Sequence, residues 1–363
     1  MEISFCITTY NRLTDLKKAV NSVLDQNGLE NIDYELLVSD DSNNDETEKY
    51  VLALSSENAK VRYLKNKNKG QFNNLNNVSS HAKYDWIVFL HDDDVLEKDY
   101  LSSVLLLEDK IINEGVDIVW GARNLIDKDD KKINVLVSSV TGLNKSLIVN
   151  SEEFLHQMLA KHDYTYGGRV IFPMVTGIMV KRELVLRVKF DNRFAVNADG
   201  LFLWKIFFNS KNSLYINSPI INYRWVENSE RAKPSEQGIV YGEMKGILLA
   251  MIAYMEENLG VKNMVSRKND FMNSFYFNAI NVDGPVTWIS LRYKGTYCSK
   301  LRIIFGILKD VVRNYPKSLI RPSFYFCVAI GFIPKILLVP LYKFYIKKNL
   351  FSIGILLYYG TTH

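Results

Sequence analysis

Cysteine is scarce in this chain: three in 363 residues, at Cys6, Cys298 and Cys327. Widely spaced and odd in number, they argue against a disulfide framework, show no metal-ligand spacing and fit a reducing compartment. Glycine is scarce where phosphate binding would need it. Only Gly28 precedes Gly70, so the glycine-rich turn that brings backbone to phosphate after a first strand is missing, and dinucleotide and P-loop sites are disfavoured. Long apolar runs are absent as well. The longest uncharged one, Ser323 to Ile333, is about half the ~20 residues of a membrane-spanning helix. No signal peptide is read at the start, since Met1-Glu2 leads into "ISFCITTY", which has the character of a core strand.

What is present describes an ordinary folded protein, with 47% hydrophobic and 23% charged residues. The length allows two domains or one large domain with appendages. The net charge of +5 is unevenly spread: residues 301–363 carry nine Lys/Arg against Asp310 alone, and the remainder is slightly acidic. A basic tail on an acidic body argues against a nucleic-acid partner.

The first half alternates strand and helix. "ISFCITTY" (3–10), "YELLVSDD" (34–41), "VRYLKN" (61–66), "DWIVFLHD" (85–92) and "VDIVWGARNLI" (116–126) read as strands. Between them, Leu13, Leu16, Val20, Val23 and Leu24 share one helical face. "NNDETEKYVLALSS" opens on capping residues, Phe72, Leu75, Val78 and Ala82 mark a more polar helix, and another is expected from about Glu97 to Glu114. Such alternation implies parallel βαβ units, with strands buried on both faces and therefore continuously apolar.

In open α/β sheets the ligand lies beyond the carboxyl ends of the strands. Those ends carry Thr8-Thr9-Tyr10-Asn11, Asp40-Asp41-Ser42, Asn68-Lys69-Gly70 and Asp92-Asp93-Asp94. Four polar clusters thus converge on one rim. The last is an electrostatic problem, because three carboxylates in a row repel and no lysine or arginine lies within two residues of them. Either solvent screens them or a cation sits there. Oxygen-ligand clusters suit Mg²⁺ or Mn²⁺, which could bridge to a diphosphate.

Four stretches, "CITTYNRLTDLKKAVNSVLDQ", "YELLVSDDSNNDET", "NKGQFNNLNNVSSHAKYDWIVFLHDDDVL" and "FAVNADGLFLWKIF", together resemble a family 2 glycosyltransferase over roughly residues 1–230. The resemblance implies the GT-A fold, a Rossmann-like, mostly parallel sheet flanked by helices. It also implies an inverting transferase that moves a sugar from a nucleotide diphosphate, usually a UDP-sugar, to an acceptor hydroxyl with Mn²⁺ or Mg²⁺. Carried onto this chain, Thr8 and Tyr10 hold the nucleoside, Asp40 contacts the base with Asp41 supporting the turn, and Asn76 lines the nucleotide side. The aspartates match the DXD motif, with Asp93 and Asp94 as metal residues and Asp92 on ribose or metal-bound water. Asp199 matches the general base. Three positions depart from the pattern. His91 replaces an acidic residue, Ala198 replaces the first member of the acidic pair, and "WVENSER" lacks a histidine, which leaves Arg224 or Arg231 to supply its charge.

The expected organisation is a catalytic domain at 1–235, with a nucleotide half (1–127) and an acceptor half (128–235), then helical packing at 236–300 and a basic helical tail at 301–363. Asn144, Asn150, His156, His162, Tyr164 and Tyr166 mark the acceptor side. In the tail, lysines interleave with Phe, Tyr, Ile and Leu, as in helices lying on an anionic membrane surface. A peripheral protein on the cytoplasmic face of the plasma membrane would act on a lipid-linked saccharide of polysaccharide, capsule or O-antigen assembly. Two further readings are a non-catalytic sugar-nucleotide-binding subunit and a metal-dependent nucleotidyltransferase, the latter lacking its usual glycine-rich basic loop.

Overall fold

The computed structural model describes residues 1–136, 146–160, 173–194, 198–224, 238–258 and 293–320, together with Met272, Tyr276, Ile289, Ser290, Tyr325 and Ala329. Two compact units divide the chain. The first comprises Met1–Leu155, Ile171–Arg193 and Ala198–Trp225; the second comprises His156–Val170, Phe194–Asn197 and Val226–His363.

The first unit is built on one mixed sheet. Strands β1 (Glu2–Thr9), β2 (Asp33–Asp40), β3 (Val61–Lys65) and β4 (Trp86–His91) pair in the order β3-β2-β1-β4, all parallel. Their connections are helices α1 (Leu13–Leu24), α2 (Glu46–Glu57) and α3 (Gln71–His81). Each strand agrees with its sequence reading to within a residue or so, because a strand covered on both faces must be apolar throughout. Ile3, Phe5 and Ile7 pack with Leu16, Val20, Leu36, Val38, Val88 and Leu90 in one core. The register then fixes the rim: Thr9 lies opposite Asp40, Asp40 opposite Lys65, and Thr8 opposite His91.

Beyond β4 the architecture departs from simple alternation. A two-residue strand β5 (Val95–Leu96) follows β4, and in place of the single helix expected from Glu97 to Glu114 stand two short ones, α4 (Tyr100–Leu105) and α5 (Glu108–Asn113). The Leu107 N–H bonds Val104 O at 2.9 Å, a tightened turn that ends α4, and the exposed Leu106 sits at the break. Strand β6 (Val116–Ile126) carries β7 (Lys132–Leu136) along its outer half and pairs parallel with the long β10 (Asn212–Arg224), which in turn bears β8 (Leu147–Asn150). Strand β9 (Met179–Lys181) runs antiparallel between β4 and β6. The sheet is therefore parallel over β1–β4 and mixed elsewhere.

Helix α6 (Ser151–Ala160) follows β8, α7 (Arg182–Val188) follows β9, and α8 (Ala198–Asn209) precedes β10. Phe202 of α8 stacks on Phe190 at 3.7 Å between ring centroids and meets Phe89 of β4 edge-on at 6.1 Å. This contact fastens α8 to the strand that leads into the aspartates.

The second unit holds helices α9 (Val240–Asn258) and α10 (Tyr297–Asn314). Val240, Tyr241, Tyr276, Ile304, Ile307, Leu308 and Val311 form its core. Lys245 Nζ and Tyr241 OH both donate to Asp310 Oδ2 at 2.6 Å, so the tail's one acidic residue clamps the two helices. Among the described residues no helix is long and apolar enough to cross a membrane. Most of the basic tail beyond Ile320 lies outside the described residues, as do Asn144, His162, Tyr164, Tyr166 and Arg231 and the side chain of His156.

Candidate functional site

The carboxyl ends of β1, β2 and β4 place five carboxylates at one rim. Asp40, fully buried at the end of β2, accepts from the Ser42 N–H (2.8 Å), Tyr63 OH (2.9 Å) and Lys65 Nζ (3.1 Å). Burial pushes its carboxyl up, but hydrogen bonds from Ser42, Lys65 and Tyr63 outweigh burial and hold it below the usual carboxylate range. Asp41 supports the next turn: its carboxylate accepts from Asn66 Nδ2 (3.1 Å) and the Gly70 N–H (2.8 Å) and faces Lys69 Nζ at 3.6 Å. Gly70 has φ +114°, a conformation that residues with a side chain rarely adopt, and that backbone aims its N–H at Asp41.

The loop after β1 turns sharply at Asn11, whose φ is +53°. Its N–H donates to Ser42 Oγ at 2.8 Å, its Oδ1 accepts from the Asn43 N–H, and Tyr10 OH accepts from Asn43 Nδ2 at 3.0 Å. The Tyr10 ring is half exposed beside this turn while Thr8 is buried on the strand. The Tyr10 N–H donates to Asp92 Oδ2 at 3.1 Å, so the first loop is tied to the aspartate cluster.

The three aspartates differ in setting. Asp92 is buried and its carboxyl is pushed up to about 7, first by burial and then by the Asp93 charge, against the pull of Arg12. Asp93 stands at the surface, bonded to Arg12 Nη1. Asp94 is buried, with Oδ1 accepting from the Arg224 N–H at 2.8 Å. Ligand atoms of His91, Asp93 and Asp94 lie within 4.8 Å of one another. Two carboxylate oxygens and an imidazole nitrogen are donors that Mn²⁺ accepts readily and Mg²⁺ accepts in part. Arg12 already shows that a positive charge is favoured here, so the residues present fit a divalent cation.

Three features of the site are not visible in the local sequence. The cation absent near the cluster in sequence arrives in space as Arg12, placed by "TTYNR" at the same rim as the aspartates. Arg224 is not free to meet a diphosphate. Its side chain is only 5% exposed, its Nε and Nη1 donate to the carbonyls of Asp93 and Asp127 at 2.8 Å, and Nη2 binds Asp130. It braces the aspartate loop from beneath. Asn76 stands apart as well, because both ends of its amide bind the Phe190 backbone at 2.9 Å. The asparagine of α3 that reaches the strand ends is Asn74, whose Nδ2 donates to Ser39 O (3.0 Å) and Thr9 O (3.4 Å). Asp199 lies in the first turn of α8 and accepts the Gly200 N–H at 2.9 Å. No hydrogen bond among the described residues joins it to the rim.

This geometry coincides with a known sequence family. The model of glycosyl transferase family 2 matches residues 4–176, which contain the whole rim. Over those residues the chain is similar to that family. A Campylobacter jejuni GalNAc(5)-diNAcBac-PP-undecaprenol beta-1,3-glucosyltransferase is 27% identical over 257 residues, covering 70% of this chain and 72% of that protein. The Salmonella typhimurium abequosyltransferase RfbV is 26% identical over 296 residues, covering 80% and 83%. Among solved structures, residues 1–349 of S. aureus TarS in complex with UDP-GlcNAc superpose with a TM-score of 0.63 at 16% identity, over 91% of this chain and 88% of that one. That likeness speaks to the fold, which is GT-A. The protein is thus a glycosyltransferase enzyme, with the rim as its candidate donor site.

Proposed function

We propose that this glycosyltransferase moves a sugar, with inversion, from a UDP-sugar to a hydroxyl of a lipid-linked saccharide in the assembly of a bacterial surface polysaccharide. The observation that carries this reading is the convergence of a buried Asp40, held by three donors, and the His91–Asp94 cluster on one rim. Asp40 keeps its charge and, with Thr8 and Tyr10, defines the nucleoside end. Asp93, with His91 and Asp94, would hold Mn²⁺ or Mg²⁺, which when bound neutralises charge on the departing diphosphate. Asp92 lies between the two ends. The TarS complex holds UDP-GlcNAc, and the Campylobacter relative is named for a polyprenyl-diphosphate-linked acceptor; both support the choice of partners.

In the transfer, the acceptor oxygen forms a bond to the anomeric carbon as the bond from that carbon to the diphosphate oxygen breaks. The bonding pair leaves with the nucleoside diphosphate, and Asp199 takes the hydroxyl proton. A lipid-linked acceptor requires access to the membrane surface. Helix α10 offers Arg302, Lys309 and Arg313 beside a half-exposed Phe305, a pattern suited to anionic head groups on the cytoplasmic face.

Thermal denaturation with UDP, dTDP, GDP and CDP, each with and without Mn²⁺, tests the donor site. A ligand at a hundredfold excess over Kd stabilises by about 2.7 kcal/mol. The expected result is a shift with UDP that needs Mn²⁺ and vanishes in Asp93→Ala. No shift with any nucleotide would refute the reading.

A further inference from the structure

Asp93 has two claimants. It shares the candidate metal position with His91 and Asp94, all three ligand atoms lying within 4.8 Å of one another. It is also bonded to Arg12, whose Nη1 lies 3.6 Å from Asp92 Oδ1 as well. A guanidinium and a divalent cation cannot both rest against this carboxylate without strong repulsion. Of the two arginines that meet the cluster among the described residues, Arg12 is the one able to yield. Its side chain is 47% exposed, on the loop between β1 and α1, whereas that of Arg224 is 5% exposed and held by three acceptors.

We propose that Arg12 is a donor-site residue that changes partner. It neutralises Asp93 in the empty protein, gives up that carboxylate when Mn²⁺ or Mg²⁺ enters, and then pairs with the diphosphate of the nucleotide. This rests on the metal–diphosphate reading above and adds a residue and an order of events to it. Once displaced, the guanidinium remains tethered at the rim by Tyr10 and Asn11, whose N–H groups are fixed to Asp92 and Ser42. The anion that arrives there is the diphosphate. A planar guanidinium suits two phosphate oxygens at once, which an ammonium does not. The device also keeps Asp92, Asp93 and Asp94 from facing one another without a cation when no donor is present.

The consequence has opposite signs for the two ligands. Mn²⁺ without nucleotide is titrated into the full chain as wild type, Arg12→Gln, Arg12→Lys and Asp93→Asn, with bound metal read by electron paramagnetic resonance. UDP is then titrated at saturating Mn²⁺. Removing an exposed competing ion pair should tighten Mn²⁺ binding by about two- to fivefold in Arg12→Gln. Loss of a charge-assisted hydrogen bond should weaken UDP on the order of tenfold. Arg12→Lys should restore the wild-type Mn²⁺ affinity and only part of the UDP affinity, and it serves as the second variant if the glutamine protein does not fold. Unchanged or weaker Mn²⁺ binding on loss of the Arg12 charge, with wild type binding through Asp93, overturns the proposal. So does unchanged UDP affinity. Failure of the wild type to bind Mn²⁺ would instead overturn the metal reading itself and the partner exchange with it.

Discussion

The two ends of one sheet treat buried carboxylates in opposite ways. At the amino ends, Glu35 Oε1 accepts from Ser4 Oγ (2.7 Å) and the Lys83 N–H (2.8 Å), and Oε2 accepts from Arg62 Nη1 (2.6 Å). One carboxylate meets one cation, and both its oxygens are used. At the carboxyl ends, Asp40, Asp41, Asp92, Asp93 and Asp94 face Lys65, Lys69 and Arg12, while Arg224 spends itself largely on carbonyls and Asp130. Negative charge is in excess there. A matched buried carboxylate is explained by folding alone, whereas an unmatched group of them asks for a ligand. Position on the sheet, more than residue type, separates structure from function in this molecule.

The largest effect is expected outside both ends, at Asp199. In the role of general base proposed for it, it should contribute about 10²–10⁴-fold to kcat, so Asp199→Asn should lose that factor while the Mn²⁺-dependent UDP shift stays at the wild-type value. Loss of UDP binding together with turnover would place Asp199 in the donor site and remove the distinction between rim and base.

Next comes the matched end. Glu35→Leu strips the acceptor from Ser4 Oγ and the Lys83 N–H, a cost of about 2–3 kcal/mol, while the partly exposed Arg62 can turn to water. Urea denaturation should show that loss with UDP affinity retained. The reverse pattern, little destabilisation and weakened UDP, would contradict the purely structural role.

How much of this was legible in the sequence follows the same division. Strands β1–β4 are legible because full burial demands continuous apolar runs such as "IVFL", and their carboxyl ends mark the rim. Asp40, Asp92, Asp93 and Asp94 were found that way. What remained hidden was pairing over long separations. Arg12 lies 81 residues from Asp93 in sequence, and no local pattern joins them. Arg224 has the look of a free charge in sequence because its burial at the end of β10 is set by distant partners, Asp93, Asp127 and Asp130. The break at Leu106 escaped because the apolar spacing of 97–114 fits one helix or two. Asn76 shares its helix with Asn73, Asn74 and Asn77, and only tertiary contacts distinguish among them.

The pH response sharpens the contrast further. In the unfolded chain Asp92 ionises near ~3.9, but in the folded protein burial, then Asp93, pushes it up to about 7. Between these values the folded state holds the extra proton, so Asp92 lowers stability progressively as pH rises from about 4 to 7 and changes nothing further above that. Asp40, held below its usual range, contributes in the opposite sense: its stabilisation is present above about pH 4 and is lost as pH falls through its folded value. Metal-free unfolding measured at pH 5 and 7.5 should show a decline that Asp92→Asn flattens. Equal slopes in the two proteins would mean that the rim is relieved of its charge by other means.

The smallest effect is expected at Gly70, where backbone alone is at stake. A Cβ there would find Asn73 Nδ2 at 3.8 Å, ordinary contact, so Gly70→Ala introduces no clash. The cost is the φ of +114°, about 1–2 kcal/mol for a residue with a side chain. Asp41 keeps Asn66 and Lys69 as partners in the variant, so melting should fall while the Mn²⁺-dependent UDP shift persists. If the chain instead relaxes to a negative φ, the N–H leaves Asp41, and both stability and UDP affinity should drop together. That outcome would make the glycine part of the donor site rather than of the fold, and would extend the region of functional strain from the aspartates to the turn that opens α3.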